Sequence, residues 1–117
     1  MLVEDQADFR FLMATLLGRQ PDLELVAEAG SLAEARMHVK TTRFDVVVLD
    51  LGLPDGIGTD LIAEVRRANP GTAVLILSAS LTPESLAKAS TEGADEIMDK
   101  FASLDEVVET IRRLGSY

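Results

Sequence analysis

The chain has 117 residues, is 47% hydrophobic, contains no cysteine and carries 20 acidic against 11 Lys and Arg residues, a net charge of −9. That length fits one domain with one real core, and the missing thiols exclude disulfides, zinc knuckles and thiol nucleophiles. The acidic balance speaks against direct nucleic-acid binding, which needs a basic face, and the short apolar runs fall far below the roughly 20 residues that cross a bilayer.

Two hydrophobic periods alternate along the sequence: short β-branched runs, and longer stretches with three-to-four spacing. Met1 to Val3 predicts a first strand, which is either short or begins upstream. Asp8 to Arg19 predicts a helix with Phe9, Leu12, Met13, Leu16 and Leu17 on one face, ending before Pro21. A second strand is expected at Glu24 to Glu28, followed by a helix from Ser31 to about Lys40, with Ser31 and Glu34 as a capping box. His38 lies there between polar neighbours and reads as a surface residue.

Asp45 to Leu49 is the third strand, and Gly58 or Thr59 opens a helix with Leu61, Ile62 and Val65 inward. Ala73 to Leu77 is the fourth strand. Thr82 and Pro83 form an N-cap and first-turn pair, and Gly93 stands where a helix ends. Asp95 to Met98 is the fifth strand, and Ser103 with Glu106 caps a last helix whose inner stripe is Leu104, Val107, Val108, Ile111 and Leu114. Met13 and Met98 read as core filler.

The runs VVVL and AVLIL do not alternate with polar residues, so their strands are buried on both faces, as in a parallel sheet covered by helices. Five βα units with right-handed crossovers make a doubly wound α/β domain. Ligands of such sheets sit outside the carboxyl ends of the strands, where this sequence puts Glu4 and Asp5, Asp50, Ser78 and Lys100. Three gathered carboxylates repel one another unless a cation joins them, and Mg²⁺ suits oxygen ligands of this kind. Lys100 and Ser78 then offer a charge and a hydroxyl to an oxyanion, and an aspartate can hold a phosphoryl group as an acyl phosphate. The set reads as phosphoryl transfer onto Asp50.

With these residues in order, the chain resembles a response-regulator receiver domain of two-component signalling, of the chemotaxis-regulator type. The resemblance rests on LVED near the start, VVLDLGLPDGIG in the middle, LILSAS after it and DK near the end, and it covers all five βα units. It implies a flavodoxin-like, three-layer α/β/α fold with a five-stranded parallel sheet of order 2-1-3-4-5, and a single domain over residues 1–117. Carried over position by position, it implies that Asp50 accepts phosphate from a sensor histidine kinase or phosphotransfer protein. Glu4, Asp5, Asp50 and the backbone carbonyl of Gly52 would hold Mg²⁺. Ser78 would be the switch hydroxyl, Lys100 would pair with the phosphate, and Ala79 is small enough to leave access.

The resemblance further implies a cytoplasmic regulator with no membrane segment and no direct nucleic-acid contact. It would assist its own phosphorylation and dephosphorylation without being a turnover enzyme. The face made by the fourth helix, fifth strand and fifth helix is the family's readout surface and a surface for homodimers. Two positions depart from the pattern. Phe101 follows Lys100 where proline is usual, so that bond is expected to be trans, since a non-proline cis bond costs about 2.5–4 kcal/mol. Ile97 stands where many members carry an aromatic residue that moves with the switch hydroxyl.

Two other functions compete with the phosphoacceptor. A dehalogenase-like phosphatase would need a general acid two residues after the nucleophile, where this chain has Gly52. A degenerate receiver would act as a docking module independent of phosphorylation, a reading favoured by Phe101 and Ile97.

Overall fold

The computed structural model of the chain describes residues 1–79 and 81–115. Its elements run β1 (Leu2–Val3), α1 (Ala7–Gly18), β2 (Glu28–Ala29), α2 (Leu32–Thr41), β3 (Val46–Leu49), β4 (Gly52–Leu53), β5 (Gly56–Ile57), α3 (Thr59–Ala68), β6 (Ala73–Ser78), α4 (Pro83–Glu92), β7 (Glu96–Asp99) and α5 (Leu104–Leu114). Five strands form a parallel sheet of order β2-β1-β3-β6-β7, while β4 and β5 make a separate antiparallel ribbon. Counting sheet strands alone, the order is the expected 2-1-3-4-5.

The unbroken apolar runs explain the layers. In β3 and β6, which pair from Val46 with Ala73 to Leu49 with Ile76, successive side chains point to opposite faces. Val47, Leu49, Val74 and Ile76 pack against Leu32 and Ala35 of α2, Leu61, Ile62 and Val65 of α3, and Ala89 of α4. Val48, Leu75 and Leu77 pack on the other face against Met13 and Leu17 of α1 and Val107, Val108 and Ile111 of α5. A strand with helices on both faces has no wet side, so it carries no polar alternation.

The helix termini mostly follow the sequence signals. Ser31 accepts the Glu34 N–H at 3.2 Å, Thr82 and Ser85 form a reciprocal capping box, and Gly93 closes α4 at φ 99°. Ser103, however, makes no side-chain cap. It starts α5 through its carbonyl, which accepts from Val107 N–H at 3.1 Å, and Asp105 and Glu106 complement the helix dipole instead.

Other expectations are corrected. The second strand covers only Glu28–Ala29, not Glu24 to Glu28, because its neighbour β1 has two residues to pair with, Leu2 against Glu28 and Val3 against Ala29. The buried face of α1 is Met13 and Leu17, with Phe9, Ala14 and Leu16 half-buried, and Leu12 is 48% exposed. The stretch after Asp50 is a β-ribbon and not a plain loop. The Lys100–Phe101 bond is trans, as expected.

Candidate functional site

Ladder bonds fix the backbone of the residues that end the strands. Glu4 N–H donates to Ala29 O at 2.8 Å, Asp50 N–H to Val3 O at 3.0 Å and Lys100 N–H to Ser78 O at 3.0 Å. Because the strands are parallel, their carboxyl ends lie at one edge, and Glu4, Asp5, Asp50, Ser78 and Lys100 are brought there together. One carboxylate oxygen from each of Glu4, Asp5 and Asp50 lies within 4.8 Å of the others. Glu4 and Asp50 are only 2% and 7% exposed and Ser78 4%, whereas Asp5 is open to solvent.

The lysine reaches this cluster from β7. Lys100 Nζ forms an ion pair with Glu4 Oε1, lies 3.2 Å from Asp50 Oδ2, donates to Gln6 Oε1 at 3.4 Å and sits 4.9 Å from the centre of the Phe9 ring. Its side chain is 8% exposed. Glu4 Oε2 accepts the Gln6 N–H at 3.1 Å, and Arg10 Nη1 donates to the Glu4 carbonyl at 2.6 Å. Burial raises the Glu4 carboxyl above its ordinary 4.5, against the opposing pull of Lys100 and the Gln6 N–H. Burial works against the charge of Lys100, but contact with Glu4 and Asp50 outweighs it and raises the ammonium above 10.5.

A cavity of about 380 Å³ opens over the cluster, bordered by Asp5, Gln6, Asp50, Gly52, Ser78, Ala79 and Lys100. Gly52 N–H faces Asp50 Oδ1 at 3.4 Å. Behind Asp50, Gly58 packs so closely that a Cβ there would collide with the Asp50 carbonyl oxygen. His38, on α2, takes no part, its Nε2 lying 3.1 Å from Glu28 O of β2. The last serine of LILSAS, Ser80, lies outside the described residues.

Three contributors escape sequence reasoning. Gln6 and Phe9 enclose Lys100, and Gly58 backs Asp50. The one available signal was a polar residue directly after the acid pair, at the N-cap of α1.

The sequence model of the response regulator receiver domain matches residues 1–112. The chain is 36% identical over 115 residues to the DNA-binding transcriptional activator DevR/DosR of Mycobacterium tuberculosis, covering 98% of this chain and 53% of that protein. Its fold is that of the response regulator receiver domain protein (CheY-like) of Methanospirillum hungatei, with a TM-score of 0.91 at 20% identity over 97% of this chain and 90% of that one. It is similar also to a response regulator from Burkholderia pseudomallei determined with a phosphorylated aspartic acid, calcium ion and citrate. There the TM-score is 0.84 at 24% identity, covering 92% of this chain and 62% of the other. The chain spans about half the length of the curated relatives it matches. It belongs to the response regulator receiver domain family of two-component signal transduction.

Proposed function

We propose that residues 1–117 act as a phosphoacceptor: a sensor histidine kinase or phosphotransfer protein passes a phosphoryl group to Asp50, and the product state alters partner binding. The observation that carries this reading is the convergence at one sheet edge of Glu4, Asp5, Asp50 and Lys100. Among them Asp50 both borders the cavity and pairs with the lysine.

The acids fit a hard divalent ion. Two of the three have lost most of their water, and among the described residues Lys100 is the cation paired with them. Glu4, Asp5, Asp50 and the Gly52 carbonyl would hold Mg²⁺. Bound there, it would neutralise the acids and stabilise charge on phosphoryl oxygens. In the transfer, an Asp50 carboxylate oxygen attacks phosphorus. The O–P bond forms as the P–N bond to the donor imidazole breaks, and the electron pair stays on nitrogen, which takes a proton from water. Lys100 supplies a positive charge to the incoming group and Ser78 a hydroxyl donor, while the Ala79 methyl leaves the entrance open. Positioning and charge neutralisation suffice for this chemistry. The Burkholderia relative, with its phosphorylated aspartic acid and calcium ion on the same fold, supports the reading.

The chain is then a regulator that assists its own phosphorylation and dephosphorylation, and it works in the cytoplasm. The α4, β7 and α5 face serves as readout and homodimer surface, and DNA contacts belong to other domains. Incubation with acetyl phosphate and Mg²⁺ is expected to add one phosphate to the wild type and none to Asp50→Asn, read by intact mass. No gain in the wild type, or equal gain in the variant, overturns the proposal.

A second reading is a docking module independent of phosphate. Phe101 favours it, standing 84% exposed directly after Lys100, as does Ile97, packed half-buried on the α2–α3 side of the sheet. Titration with Mg²⁺ and beryllofluoride separates the two: chemical-shift changes at the strand ends support the phosphoacceptor, and a silent titration supports docking alone.

A further inference from the structure

The cavity over Asp50 is also bordered by α4, through Ser85 and Lys88 three residues apart on that helix. Among the described residues, Lys88 and Lys100 are the two cations on its border. Thr59 also borders it, 2% exposed, with a buried hydroxyl that has no partner. A polar atom in that condition calls for an explanation, and a polar occupant of the cavity supplies one.

Charge counting gives Lys88 a role. Glu4, Asp5 and Asp50 carry three negative charges, which Lys100 and a divalent ion balance. An acyl phosphate on Asp50 brings about −1.5 to −2 in place of one carboxylate charge, leaving about half to one negative charge unmatched. Among the described residues the remaining cation at the cavity is Lys88, and α4 can follow it, because the helix buries a single side chain, Ala89, while Leu86 is 38% exposed. Ile97 offers no aromatic ring through which the signal could pass.

We propose that Lys88 is a second phosphate-binding residue. It pairs with a phosphoryl oxygen on Asp50 and draws α4 toward the site, so the charge itself moves the helix. This rests on the phosphoacceptor reading. The attraction is electrostatic and weakens with salt. Gln has nearly the helix propensity of Lys, so Lys88→Gln removes the charge and keeps α4 folded.

The test compares wild type, Lys88→Gln and Lys88→Arg by amide chemical shifts with and without Mg²⁺ and beryllofluoride. Expected are strand-end changes at Glu4, Asp50 and Lys100 in all three, with α4 changes in wild type and Lys88→Arg and their loss in Lys88→Gln. Undiminished α4 changes in Lys88→Gln overturn the role of Lys88 and leave the phosphoacceptor standing. Absence of strand-end changes in the wild type overturns both.

Discussion

Glu4 sits almost without water, and burial holds its carboxyl above the ordinary 4.5, the Lys100 cation limiting the rise. If the acids hold Mg²⁺ as proposed, protons compete with it for this carboxylate at higher pH than for a free glutamate. Mg²⁺ affinity measured by calorimetry is expected to fall as pH drops from neutrality toward 4.5, and part of that slope should vanish in Glu4→Gln. Lys100 has the opposite consequence: its ammonium is raised above 10.5, so its contribution to stability is complete below that pH and is lost as pH climbs through the higher folded value. Gly58 gives a steric test. A methyl group there meets the Asp50 carbonyl and the Leu51 backbone, so Gly58→Ala should cost about 1–3 kcal/mol in urea unfolding and slow phosphorylation. Asp50 and Ser78 were legible because each ends an apolar run, and Lys100 because it directly follows the last strand. Gln6 was not, since its side-chain partner, Lys100, lies 94 residues away in sequence.

At the level of elements, the ribbon after Asp50 is tied to α2. Asp55, between β4 and β5, accepts Leu32 N–H at 2.8 Å on one carboxylate oxygen and Ala33 N–H at 3.0 Å on the other. These two bonds hold its carboxyl below the usual range, and they satisfy two of the unpaired donors that open a helix. Asp55→Ala is expected to speed hydrogen exchange at Leu32 and Ala33 while leaving the α5 amides unchanged. The sequence announced α2 through Ser31 but not this second cap, which comes from a turn 22 residues and more downstream. The strand β2 failed for a related reason: strand length is set by the partner, and β1 has two residues to offer. The helices, by contrast, were legible wherever the apolar stripe was regular, as in α3 and α5. In α1 the adjacent Phe11, Leu12 and Met13 left the buried face ambiguous, and packing chose Met13.

For the whole molecule, a ligand that binds only the folded chain stabilises it by mass action, about 2.7 kcal/mol at a hundredfold excess over Kd. Mg²⁺ should therefore raise the thermal midpoint of the wild type, and less so that of Asp50→Asn, in which one acid of the cluster is gone. The sheet that delivers the acids to one edge also walls off two cores, one shared by α2, α3 and α4, the other by α1 and α5. Among the described residues no buried side chain belongs to both cores, so changes in the two layers are expected to be energetically independent. Met13→Ala and Leu61→Ala should add to within about 0.3–0.5 kcal/mol when combined, whereas Met13→Ala with Val107→Ala, inside one layer, should show a coupling. Such a protein can accumulate changes on one side of its sheet without compensation from the other, and the acid cluster at the seam stays in register as long as the strands themselves do.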